Sequence, residues 1–185
     1  MLAHGSFCFR LPVGLGFHWG IAERESLLLH WKMNNTAEFK STAFPKQPDE
    51  DEELVNPHCW GRGLAEWIRV QLPKHGIETK DILCEDWGWV VNLKNEGFPL
   101  WIGCGVRTGL DEEKSENDDG EARTRPAPNA LCEFSVFVTA EPGFFQRLFK
   151  RVDTKPATQQ AVEALHRLLE SSTEIQDLQW SSMPP

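Results

Sequence analysis

Over residues 77–105, and again over 131–139, apolar side chains recur at every second position, and this period of two constrains the fold more than any other feature of the chain. Trp87, Trp89, Val91 and Leu93 alternate with Gly88, Val90 and Asn92, which places the two sets on opposite faces of an extended strand. A strand over 77–83 precedes it. Lys94-Asn95-Glu96-Gly97 supplies a turn, and a further strand runs over 100–105 with Pro99 at its entry, where a missing backbone donor is tolerated. Residues 106–130 break the pattern and read as a long, mobile, acidic hairpin loop, after which a strand over 131–139 resumes with Cys132, Phe134, Val136 and Val138 on one face.

Helical spacing brackets this block. Trp60, Leu64, Trp67, Ile68 and Leu72 form one stripe, with Asn56 suited to the N-cap, Pro57 to the first turn and Gly76 to a left-handed terminus. On the carboxyl side, Phe144, Phe145, Leu148, Phe149 and Val152 predict a second helix. A third over 156–169 turns Ala161, Val162, Leu165, Leu168 and Leu169 inward. Residues 38–44 read as a first strand or extended arm, the run from Asp49 to Glu53 as a solvated loop, and Ile175, Leu178 and Trp180 as a closing apolar segment of open type. Helices before and after an unbroken run of strands predict an α+β two-layer sandwich. Its expected parts are a mostly antiparallel meander of four to five strands and about three helices.

The length of 185 residues suits one domain. Residues 1–32 show no sustained period and read as an N-terminal extension, either a disordered tail or a gene-start artefact upstream of Met33, leaving 33–185 as the α+β domain. Eight Trp and eleven Phe against no Tyr point to a core stabilised largely by aromatic area. A formal net charge of −9 argues against nucleic-acid binding, which needs clustered cations, disfavours anionic membranes, and favours a basic partner. No run reaches the roughly 20 apolar residues of a membrane helix. Cys8, Cys59, Cys84, Cys104 and Cys132 form no CxxC pair; they read as free thiols in a reducing cytoplasm, with no metal site and no cofactor implied.

Two blocks, Glu85-Asp86-Trp87-Gly88-Trp89 and Phe98-Pro99-Leu100-Trp101-Ile102-Gly103-Cys104-Gly105, resemble those of a family of uncharacterised bacterial proteins. The similarity extends over about 38–180 and includes Gly63-Leu64-Ala65-Glu66 and the segment from Ile175 to Trp180. It implies a bacterial cytoplasmic domain and carries no activity.

Four constellations bear on function. Glu85 and Asp86 beside Trp87 and Trp89 could serve a general acid, a cation or a sugar, although adjacent strand residues point to opposite faces and the two tryptophans read as core. Gly103 and Gly105 around Cys104, with Trp101 nearby, favour an indole stacked over glycine above a ligand site. Cys104 with His58 or His75 as base is a weaker catalytic arrangement. The fourth is the acidic stretch 111–121, with Asp111, Glu112, Glu113, Asp118 and Asp119, which reads as a solvated loop able to attract a basic protein surface. The resulting expectation is a non-enzymatic protein-interaction domain, an acidic accessory or immunity-like neutralising partner. A small-molecule-binding or hydrolytic domain using Glu85, Asp86, Trp87, Trp89, Trp101 and Cys104 is the alternative, and a structural subunit of a homo-oligomer the third reading.

Overall fold

The computed structural model describes residues 34–56, 58–109, 112–116, 122–126, 130–141 and 152–182. In chain order the elements are β1 (Thr36–Ser41), α1 (Arg62–Gln71), β2 (Thr79–Glu85), β3 (Gly88–Leu93), β4 (Leu100–Gly109), β5 (Glu112–Glu116), β6 (Ala122–Pro126), β7 (Cys132–Ala140), α2 (Lys155–Ser171) and β8 (Gln176–Ser181). Six strands form one sheet in the order β2-β3-β4-β7-β1-β8, with every neighbouring pair antiparallel, and β5 and β6 form a separate ribbon.

The register shows how alternation becomes two faces. Cys84, Trp89, Cys104, Val136, Ala37 and Trp180 are successive cross-strand partners across all six strands, and Ile82, Val91, Ile102 and Val138 make a parallel row. These rows meet Leu64, Ala65, Ile68 and Leu72 on the α1 side and Ala161, Ala164, Leu165, Leu168 and Leu169 of α2 in one buried core. Phe39, Phe44 and Trp60 pack around Phe134 with ring centroids 5.8 Å from it. The fold is therefore α+β with helices on one side of an antiparallel sheet.

Several expectations are corrected. The sheet has six strands rather than four to five, because the 175–180 segment forms edge strand β8, held by Trp180 stacked on His166 at 4.2 Å. Two α-helices occur among the described residues; the helix expected over 144–152 falls almost wholly outside them. The 106–130 stretch is not simply a loop. β4 continues to Gly109, and β5 and β6 pair so that Glu113 stands opposite Arg125 and Ser115 opposite Arg123. Neither strand carries the alternating apolar residues that mark a strand in a sequence, since 112–116 are Glu, Glu, Lys, Ser and Glu and 122–126 are Ala, Arg, Thr, Arg and Pro.

The start of α1 is the largest departure. The helix begins after Gly61, not at Asn56-Pro57, and its N-cap residue supplies no side-chain hydrogen bond. Glu50 supplies the acceptor instead. This residue of the presumed solvated run is fully buried in a 3-10 turn (Glu50–Glu52), where Oε1 accepts from the backbone N–H groups of Gly61 and Arg62 at 2.7 Å each and Oε2 from that of Gln47 at 3.0 Å. Arg62 then reaches back to Asp49, Glu53 and Glu66. A remote carboxylate thus satisfies orphan donors that a local cap would otherwise take.

Replacing Glu50 by Ala should strand three backbone donors and lower the unfolding free energy by about 3 kcal/mol, the scale of losing hydrogen bonds to a buried charged group. Glu50→Gln, which keeps one acceptor oxygen, should cost about half as much. Urea denaturation followed by far-UV circular dichroism reads both; equal midpoints for wild type and Glu50→Ala would remove the cap from the account.

Candidate functional site

The face of the sheet opposite the helices carries a second set of rows. Leu83, Val90, Gly103, Phe137 and Thr36 are successive partners on β2, β3, β4, β7 and β1. Glu85, Gly88, Gly105, Ser135 and Glu38 follow beside them. Only two residues, Asp86 and Trp87, connect β2 to β3, and Glu85 pairs with Gly88 across this turn. Because Trp87 lies in the turn rather than on β3, it escapes the alternation that buries Trp89.

Trp87 folds back over the outer face. Its ring centroid lies 5.8 Å from that of Trp101, near-parallel at 29°, and 5.3 Å from Phe137, while Trp101 and Phe137 meet edge to face at 5.6 Å. Gly103 makes this possible, since a Cβ there would run into the Phe137 ring and come within 2.7 Å of Trp87. Gly88 is equally constrained. With φ of 150° and room for no Cβ beside the Cys104 carbonyl, it brings β3 and β4 close behind the turn.

The aromatic cluster floors an open trough of about 570 Å³ lined by Leu83, Glu85, Trp87, Trp101, Phe137 and Glu141, among others. Leu83 is 47% and Trp87 39% exposed. Glu141 is fixed at the far rim by its N–H, which donates to the Pro99 carbonyl at 2.9 Å. Carboxylates at both ends and no cation among the described lining residues suit a ligand that is apolar along its length and positively charged, because indole faces attract cations as well as apolar groups.

Of the six candidate residues, the structure brings Glu85, Trp87 and Trp101 together on this face. Trp89 and Cys104 are cross-strand partners on the core side, both buried. The shared face read for Trp87 and Trp89 is thus corrected: the tight turn interrupts the period between them. Asp86 does not line the trough; it sits in the turn near Cys59, whose thiol is raised first by burial and then by the Asp86 charge. The hydrolytic pairing of Glu85 with Asp86 therefore lacks a common pocket. Cys104 is no better placed for catalysis. It is fully buried, its Sγ donates to the Trp89 carbonyl at 3.5 Å, and burial pushes its thiol far above the ordinary range, whereas His58 is exposed.

Among the described residues no group of three His, Cys, Asp or Glu could hold a metal ion. Of the acidic candidates, Glu112 and Glu113 lie on β5, and Asp111, Asp118 and Asp119 fall outside the described residues. Leu83, Val90, Phe137 and Glu141 went unread in the sequence. The signal for three of them is an apolar residue at a position of outward parity in a strand whose other set already forms the core. Comparison with family models, with curated proteins and with solved structures gave no match.

Thiol labelling tests this arrangement. Cys59 and Cys84 are half-buried with raised thiols, so their native-state labelling should begin at higher pH than that of a free cysteine and climb as pH passes the raised values. Asp86→Asn should speed Cys59 and leave Cys84 unchanged at pH 8, while Cys104 should react only on unfolding. Site-resolved mass spectrometry checks all three, and rapid native labelling of Cys104 would contradict the assigned face.

Proposed function

We propose that this chain is a non-enzymatic protein-interaction domain whose contact surface is the outer face of the sheet around Trp87, Trp101 and Phe137. The observation that carries the reading is an aromatic cluster on the side of the sheet opposite the described helices, rimmed by Glu85 and Glu141. Interfaces are enriched in such rigid aromatic anchors, and a contiguous apolar patch on a surface otherwise rich in charge marks a place for a partner.

The partner is a basic protein, which fits an acidic accessory or neutralising, immunity-like role. The formal charge of −9 steers such a partner, and the acidic stretch with Asp111, Glu112, Glu113, Asp118 and Asp119 adds to that field within about 8 Å at physiological ionic strength. A bacterial cytoplasmic setting follows from the resemblance of the two Trp-containing blocks. No described helix is long and apolar enough to cross a membrane. A small cationic ligand in the same trough is the second reading, favoured by its aromatic floor and its carboxylate at either end.

Co-purification from host cells with wild type and a Trp87→Ser/Trp101→Ser double variant separates this surface from the rest of the molecule. A basic protein retained by the wild type should be lost, by about tenfold or more, from a variant that still unfolds cooperatively. Equal retention by the two proteins would exclude the outer face as the contact surface.

A further inference from the structure

All four large hydrophobic side chains that stand well exposed among the described residues gather around one strand, β2. Leu83 is on it and Trp87 is in the turn that leaves it. Val55, 73% exposed, lies beside the Cys84 thiol. Val70, 52% exposed, follows Arg69, whose carbonyl accepts from the Thr79 hydroxyl at 2.8 Å. Among the described strands, β2 is also the last of the sheet on its side.

An edge strand presents alternate N–H and C=O groups that no neighbour takes, a template for another strand. Closure of the β2–β3 hairpin at Glu85 and Gly88 directs the main-chain groups of Leu83 and Glu85 toward β3 and those of Ile82 and Cys84 outward. A bulge between Thr79 and Ile82 spoils the first half of the edge and leaves 82–85 regular. Residues 78–86 carry Glu78, Asp81, Glu85 and Asp86 against Lys80 alone, and Lys94 of the neighbouring strand end already pairs with Glu78 at 3.3 Å.

We propose that β2 is completed by an extended, cationic segment of another protein, which adds as a seventh strand and lays alternate side chains onto the trough beside Leu83 and Glu85. This rests on the outer face being the contact surface and specifies how that face is used. Main-chain pairing would supply affinity, and the shelf of Leu83 and Trp87 with the Glu85 carboxylate would select apolar and basic residues at alternate positions. The charge of the strand disfavours a second copy, since antiparallel self-pairing centred on Leu83 would set Asp81 against Glu85.

The probe is a fluorescein-labelled octapeptide of alternating Arg and Val, compared with its Glu-for-Arg counterpart and with a form N-methylated on alternate residues along either edge. Fluorescence anisotropy reads affinity, and hydrogen exchange by NMR reads the protein amides. The Arg-Val peptide should bind at least about tenfold tighter than the Glu-Val or N-methylated forms, and it should slow exchange of the Ile82 and Cys84 amides. Binding that shifts the Trp87 and Trp101 indoles but protects neither amide and survives N-methylation would overturn strand addition and leave the outer-face reading standing. Protection of both amides with affinity unchanged by Trp87→Ser/Trp101→Ser would do the reverse. Absence of binding by every peptide, or a dimer in sedimentation equilibrium that Leu83→Glu dissociates, would overturn the proposal.

Discussion

The side of the sheet opposite the described helices depends on a missing side chain at Gly103, where the cross-strand row from Leu83 to Phe137 would otherwise carry a Cβ into two aromatic rings. With hydrogen in that place, the Trp87 indole can fold back from a two-residue turn and lie against Trp101 and Phe137. The turn is tight because Gly88 accepts a backbone geometry and a closeness to Cys104 that other residues would resist. Two glycines on neighbouring strands thus convert a plain antiparallel hairpin into one that holds an indole over the sheet.

The covered side depends on a different device. Glu50 ties the 45–61 segment to the start of α1 by accepting three backbone hydrogen bonds in a fully buried position, so that the helix which closes the core over β2, β3 and β4 is positioned from outside its own sequence. The Trp60 carbonyl accepts from Val106 N–H at 2.9 Å, and Gly61 lies against Gly105. The same short stretch therefore joins helix start, sheet and core. Without the Glu50 carboxylate, the three backbone donors it satisfies would lose their acceptor.

How much of this could be read beforehand follows from which forces leave a pattern. The core face of β7 was legible because Cys132, Phe134, Val136 and Val138 alternate, and the inward set of α2 because Ala161, Val162, Leu165, Leu168 and Leu169 repeat at helical spacing. Burial imposes periods. Glu50 left no such trace, since one carboxylate in an acidic run looks like its solvated neighbours until the chain folds back on it. Trp87 was misassigned because a two-residue turn shifts a side chain without changing the apparent alternation. The site was legible in type, from Trp87, Trp101 and Glu85, and not in extent, because Leu83, Phe137 and Glu141 join it only through cross-strand register.

The aromatic face led by Trp87, 39% exposed, stands open to solvent on the side of the sheet opposite the described helices. Solvent paramagnetic relaxation of the indole Nε1–H protons, with a neutral gadolinium chelate and the complete chain, tests it directly. The account predicts strong relaxation at Trp87, intermediate relaxation at Trp101 and little at Trp89, which is buried on the core face. Protection of Trp87 equal to that of Trp89 would show the face to be covered and would contradict the account.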